Sequence, residues 1–234
     1  MIYRELSEDE VRDIAGRILY EDNHLLIINK RAGEIVQGDK TGVEPLCETL
    51  KAFIAGRDGK PGRVFMGVPH RLDRPVSGIA VFAKTSKALE RLNEAFRTGE
   101  IHKTYWALTC AAPSPAEGEL ENMLLRNEKQ NKSYICTNSN PAAKLARLRY
   151  RTLHQYDRYT LVEVELLTGR HHQIRCQLAG IGCPIKGDLK YGAARSNRDG
   201  GINLHARSIT LVHPTRKEPL TVVAPVLWPP FVQE

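Results

Sequence analysis

From residue 101 onward the chain reads mostly as strands, and this feature limits the fold more than any other. Apolar and β-branched residues recur in short runs over 101–110, 119–125, 132–137, 144–154, 160–167, 204–213 and 219–223, as half-buried strands require. One helical pattern, near 168–180, interrupts them. A parallel doubly wound sheet would alternate strand and helix throughout. The expected fold class is therefore α+β, with a mixed, largely antiparallel central sheet and flanking helices and loops.

The first hundred residues supply the other helices. Residues 4–17 alternate acids and arginines around Leu6, Val11 and Ile14, with Ile18 just beyond, which fits a short helix docked on the rest of the fold. They read as an N-terminal extension, 1–17, to a single domain over 18–234. Leu25–Lys30 is a buried strand ending in a turn at Gly33. Residues 43–55 read as a helix and 79–84 as a strand. Ser86 is placed to cap a helix running to about Arg97, with Leu89, Leu92 and Phe96 at helical spacing and Gly99 to close it. The stretches 113–115 and 193–201 read as exposed loops, and no internal repeat is present.

Charge narrows the class of partner. The formal net charge is +7, but residues 1–50 carry six Lys/Arg against eleven Asp/Glu, and residues 142–217 carry fourteen against five. A localised basic surface is what a phosphate backbone binds. No apolar run approaches the roughly eighteen residues of a membrane span, and the N-terminus has acids where a signal peptide has a basic start. The expectation is a cytoplasmic protein with no membrane partner. Cys47, Cys110, Cys136, Cys176 and Cys183 are odd in number and irregularly spaced, with no C-x-x-C pair, so they read as reduced thiols and not as a zinc or redox centre.

Three segments could carry chemistry. Pro69 to Gly78 places His70, Arg71, Asp73, Arg74 and Ser77 in a turn-like stretch before an apolar strand. By composition alone an Asp between two arginines before Pro reads more readily as a surface ion pair or turn cap than as a functional group. Thr168 to Gly180 reads as a helix capped by Thr168, with Ile174, Leu178 and Ile181 buried and Arg175 reaching inward beside them. The adjacent His171 and His172 have no third ligand nearby, so metal binding is not expected. Lys144 to Arg151 puts Arg147, Arg149 and Arg151 on one strand face. A short turn near Asp157 would set Arg149 opposite Glu165 and Arg151 opposite Glu163, leaving Arg147 the least compensated.

In this order these segments resemble the RluA-type pseudouridine synthases, which modify ribosomal large-subunit and transfer RNA. His70-Arg71-Leu72-Asp73 with Ser77-Gly78 is similar to the family's catalytic motif. Lys103-Thr104-Tyr105-Trp106-Ala107 resembles the strand that bears its active-site tyrosine, and Gly169-Arg170 through Gln173-Ile174-Arg175 its third motif. Pro184-Ile185-Lys186-Gly187-Asp188, Tyr191-Gly192, Leu204-His205-Ala206 and His213-Pro214 continue the pattern. Several motifs in order and at compatible separations are far more specific than any one alone. Two departures are Val76, where the family usually has Thr, and Gln177, where it usually has His. Many relatives carry an N-terminal S4-type RNA-binding domain, and the seventeen residues before the matched region are too few for one.

The resemblance implies a uridine isomerase needing no cofactor and no metal, acting on structured RNA, and expected to be a monomer. Asp73 would be the catalytic carboxylate, as nucleophile or as base. Arg175 would keep it ionised and aimed, and Tyr105 would stack on the uracil. Arg71 would fill the space of a flipped-out uridine or hold phosphates. Arg71, Arg147 and Arg170 are the expected RNA contacts, and His70 is expected to support the loop. A non-catalytic RNA-binding or ribosome-assembly protein on the same scaffold is the alternative. An unrelated hydrolase ranks last, because no oxyanion or water-activating group accompanies Asp73.

Overall fold

Ser7 opens the first helix of the molecule, α1 (Glu8–Arg17). Its hydroxyl accepts from the Glu10 amide while the Glu10 carboxylate accepts from the Ser7 amide at 2.9 Å, so two of the end's orphan donors are satisfied reciprocally. The helix is shorter than the expected 4–17 because the box forms at Ser7. Ile14 is its buried anchor. The computed structural model describes residues 3–38, 42–136, 140–226 and 228, and it divides into two compact units, one of 1–101 with 208–225 and one of 102–207 with 226–234.

In the first unit, β1 (Ile18–Glu21), β2 (Leu25–Lys30) and β3 (Ser77–Ala83) form an antiparallel run. β1 lies between the expected helix over 4–17 and the expected strand from Leu25, where the sequence pattern marks no element. Every residue of β2 is buried, including Lys30. Helices α2 (Leu46–Arg57) and α3 (Ser86–Thr98) complete the unit. The cap of α3 is Thr85 and not Ser86, its side chain accepting from the Ala88 amide; both hydroxyls suit the role, and the chain turns one residue earlier. Gly99 ends α3 at φ 78°, where a side chain would be strained.

The second unit is built on β4 (His102–Thr109), β5 (Glu117–Asn127), β6 (Lys132–Cys136), β7 (Lys144–Gln155) and β8 (Thr160–Leu166). These pair antiparallel in the order β4-β8-β7-β5-β6. Thr137, the last residue of the expected 132–137 strand, lies outside the described residues. Along β7, Ala146, Leu148 and Tyr150 are buried while Arg147, Arg149 and Arg151 point the other way, the period-two alternation that the sequence implied. Helix α4 (Gln173–Gly180) covers β5 and β6 through a core of Leu124, Ala146, Cys176 and Tyr191. Strand β9 (Leu204–Val212) runs from this unit into the first, where its end pairs antiparallel with β10 (Pro219–Val223). The fold is mixed α+β with a mostly antiparallel sheet, as expected. Among the described residues no helix is long and apolar enough to cross a membrane.

The helix expected over 168–180 is four residues shorter at its start, beginning at Gln173 and not just after Thr168. Thr168 does not cap it: its hydroxyl takes the Arg147 amide at 2.8 Å and donates to the Gln173 side chain at 2.8 Å. The cap is His172, in the left-handed region at φ 53°, so His171 and Arg175 do not share a helix face. Ile181, expected in the core, is 37% exposed because α4 has ended before it. Gln173, Arg175 and Gln177 are buried in its place.

Candidate active site

Two buried apolar side chains hold Asp73 in place: Leu72 before it and Val76 after it. A turn closes between them, the Val76 amide donating to the Asp73 carbonyl at 3.0 Å. The neighbouring turn after β2 ties into the same loop. The Gly33 amide donates to the Arg74 carbonyl at 2.8 Å, and Arg74 Nε donates to the Gly33 carbonyl at 3.1 Å. Gly33 sits at φ 91°, which explains the glycine. His70 supports the loop from the other side, its Nε2 accepting from the Val81 amide at 2.9 Å and its ring stacking on Phe96. Val76, at 2% exposure, fills a core position with a methyl where the family usually has a hydroxyl. Arg71 and Arg74 are exposed.

Lys30 anchors this arrangement and was missed in the sequence, where it reads as the polar end of a strand. It is 1% exposed. Its Nζ donates to the carbonyls of Arg31 and Glu34 at 2.8 Å each and of Arg74 at 3.3 Å. Three donors meet three acceptors, which is how a buried ammonium is tolerated. Burial pushes its pKa down to about 8, against the upward pull of Glu34 and Asp73.

In the second unit, Tyr105 and Lys103 share one face of β4, with Tyr105 buried. Burial lowers the Lys103 pKa. Trp106, on the opposite face, receives the Arg207 guanidinium at 4.3 Å from its ring centroid. Arg175 projects from α4 into a buried ion pair with Asp188: Nε donates at 2.7 Å and Nη2 at 2.9 Å to its two carboxylate oxygens. Asp188 closes the Pro184-Ile185-Lys186-Gly187-Asp188 segment, and nothing in the sequence marks it as the acid buried against Arg175. The Tyr191 ring lies 5.1 Å below the guanidinium carbon, close enough for a cation–π contact. Its hydroxyl receives the Ser133 amide at 2.8 Å and meets His172 Nδ1 at 3.0 Å. Burial, then the charge of Arg175, pushes the His172 pKa down to about 2, so the imidazole is neutral. His171 stacks on His172 with centroids 3.8 Å apart and is held by Ser133 and Asn131.

Gln177 is fully buried and uses its amide to join α4 to the sheet, donating to Asn122 Oδ1 at 2.8 Å and to the Leu120 carbonyl at 3.2 Å. Among the described residues no group of three His, Cys, Asp or Glu is disposed to hold a metal ion.

The arginine stripe corrects one expectation and meets two. Arg149 stands opposite Glu165 and Arg151 opposite Glu163, with ion pairs at 3.7 and 2.8 Å. Arg147 is not the least compensated: β5 places Glu119 at 2.6 Å and Glu121 at 3.1 Å from it. The acids come from β5, the strand before β7, which pairs with it on the side opposite β8. Arg170 is exposed, with Nε donating to the Leu145 carbonyl at 2.8 Å.

Comparison with known proteins bears on this geometry. The sequence family described as RNA pseudouridylate synthase matches residues 24–180. The chain is 35% identical over 224 residues to ribosomal large subunit pseudouridine synthase C of Vibrio cholerae, covering 93% of this chain and 68% of that protein. It is 32% identical over 229 residues to the uncharacterized RNA pseudouridine synthase YlyB of Bacillus subtilis, covering 94% and 74%. Among solved structures, human RNA pseudouridylate synthase domain containing 4 superposes with a TM-score of 0.77 at 26% identity, covering 93% of this chain and 91% of that one.

Proposed function

The chain belongs to the RluA-type RNA pseudouridine synthases, and from that premise we propose that Asp73 is the carboxylate acting on a flipped-out uridine of ribosomal or transfer RNA. The relatives named for the ribosomal large subunit favour ribosomal RNA as the substrate to test first. The observation that carries the assignment is the clamp on the Asp73 loop, in which Leu72 and Val76 are buried and the Arg74 carbonyl takes bonds from Gly33 and Lys30. A reacting carboxylate has to be held in a fixed position, and this loop is tied at every second residue.

The reaction breaks the N1–C1′ bond, turns the uracil and joins its C5 to C1′. The proton lost from C5 is balanced by one gained at N1, so nothing is added or removed. In this reading Asp73 either attacks the sugar or removes a sugar proton, and both routes need an ionised carboxylate. Arg175 is its counter-cation in the reacting complex, with the guanidinium plane set by Asp188. Tyr105 offers the uracil an aromatic face that holds it without fixing one orientation. Arg71 and Arg170, both exposed, contact the RNA, Arg71 next to the vacated stack.

Asp73→Asn tests the assignment, because the amide keeps the shape and removes the reactive oxygen. Pseudouridines are mapped on unmodified large-subunit and transfer RNA after incubation with each protein. The variant is expected to bind RNA as the wild type does and to form no pseudouridine; turnover by the variant refutes the role of Asp73.

A further inference from the structure

We infer that the tip of the β5–β6 hairpin, together with Lys190, is the surface that grips the phosphate backbone of RNA. The inference rests on the RNA reading above. Arg126 near the end of β5, Lys129 in the turn and Lys132 at the start of β6 gather there. Lys190 reaches the same turn, its Nζ donating to the carbonyls of Gln130 at 3.3 Å and Asn131 at 3.0 Å. Glu128 is the one carboxylate in this stretch. Among the described residues none of the four cations forms an ion pair.

The contrast with β7 is what locates the surface. Arg147, Arg149 and Arg151 are the conspicuous basic stripe of the sequence, yet Glu119, Glu121, Glu163 and Glu165 neutralise them. Incoming phosphate would have to displace carboxylates there, whereas at the hairpin no carboxylate among the described residues holds the four cations: Lys190 bonds only backbone carbonyls and Lys132 lies over tyrosine rings. The surface also has an aromatic: Tyr134 is 40% exposed beside Lys132, whose Nζ lies 5.2 Å from its ring centroid. An exposed ring among cations is suited to a strand with unstacked bases.

The hairpin is held in place before RNA arrives. His171 Nε2 meets Asn131 Oδ1 at 3.1 Å, and Ser133 Oγ donates to the His171 carbonyl at 2.7 Å. It is also coupled to the residues proposed for the chemistry. The Tyr191 ring takes Lys132 Nζ at 5.0 Å and the Arg175 guanidinium at 5.1 Å, so a single ring separates the basic surface from Arg175.

Salt dependence of binding to an RNA stem-loop tests the surface directly. Each lost phosphate contact removes about 0.7 to 0.9 from the log–log slope. The triple variant Arg126→Gln/Lys129→Gln/Lys190→Gln is expected to be shallower by about 2 to 3, and weaker by about a hundredfold or more at 0.1 M salt. Lys190 also holds the turn, so Arg126→Gln/Lys129→Gln is measured beside it, with about 1.5 expected. Arg149→Gln/Arg151→Gln should leave the slope unchanged. Wild-type slopes in both hairpin variants, or equal flattening by the β7 variant, overturn the proposal. Pseudouridine formation is scored on the same preparations. Wild-type protein that makes no pseudouridine while the hairpin variants lose slope contradicts the enzymatic reading alone; normal product with unchanged slopes contradicts this surface alone.

Discussion

Arg175 and Asp188 bury a bidentate ion pair, with 6% and 1% of their side chains exposed. Removing one partner of such a pair leaves an uncompensated buried charge, at a cost of roughly 3–5 kcal/mol. Asp188→Ala is therefore expected to lower the unfolding free energy extrapolated from urea titration by an amount in that range. Arg175→Lys should also destabilise, because an ammonium cannot reproduce two parallel bonds from one plane. Arg175→Ala should in addition reduce the single-turnover rate far more than RNA affinity. A loss of affinity equal to the loss of rate would make Arg175 a phosphate contact.

His172 makes the second unit acid-sensitive. Its folded pKa of about 2 lies below the ordinary 6.5, so below pH 6.5 the unfolded chain binds a proton that the folded chain does not. Stability from this group is present above pH 6.5 and is lost as pH falls, by about 1.4 kcal/mol per unit, or about 2 kcal/mol at pH 5. His172→Asn removes the titration and keeps a residue tolerant of the left-handed backbone. Unfolding at pH 7.5 and pH 5 should show the variant losing less stability on acidification than the wild type. Equal losses would mean that the imidazole accepts a proton without breaking its bond to Tyr191.

Periodicity made the strands of the second unit legible, down to the pairing of Arg149 with Glu165 and Arg151 with Glu163, because alternation and a short turn fix register. It failed where a residue's partner lies far along the chain. Glu119, twenty-eight residues before Arg147, is invisible to a reading that pairs each strand only with the next. Thr168 has the chemistry of a cap but is drawn off to the Arg147 amide, and the helix starts after His172. Lys30 is hidden for another reason, and Asp188, after Lys186-Gly187, looks like part of a polar turn. A charged residue at the end of an apolar run reads as the return to solvent, and only the fold shows that both are buried with their partners.

Lys30 gives a prediction in which activity and stability move in opposite directions. Its ammonium donates to three carbonyls, the longest bond being the one to Arg74, next to Asp73. Loss of a proton leaves two donors for three acceptors, and the 3.3 Å contact with Arg74 is the weakest of the three. The Asp73 loop should then loosen, so the chemical rate is expected to fall as pH rises through about 8. The folded pKa of about 8 is below the ordinary 10.5, so between those values the unfolded chain holds the extra proton. Stability contributed by this group therefore rises across the same window, by about 3 kcal/mol in full. Lys30→Met, which has no proton to lose, should be slower than the wild type at pH 7, by about tenfold if the loop's alignment is worth about 1.4 kcal/mol. Its rate should not bend near pH 8. Single-turnover rates from pH 7 to 9.5 on both proteins decide the matter: a bend shared by wild type and variant assigns it to another group, and the clamp would then hold without Lys30 being charged.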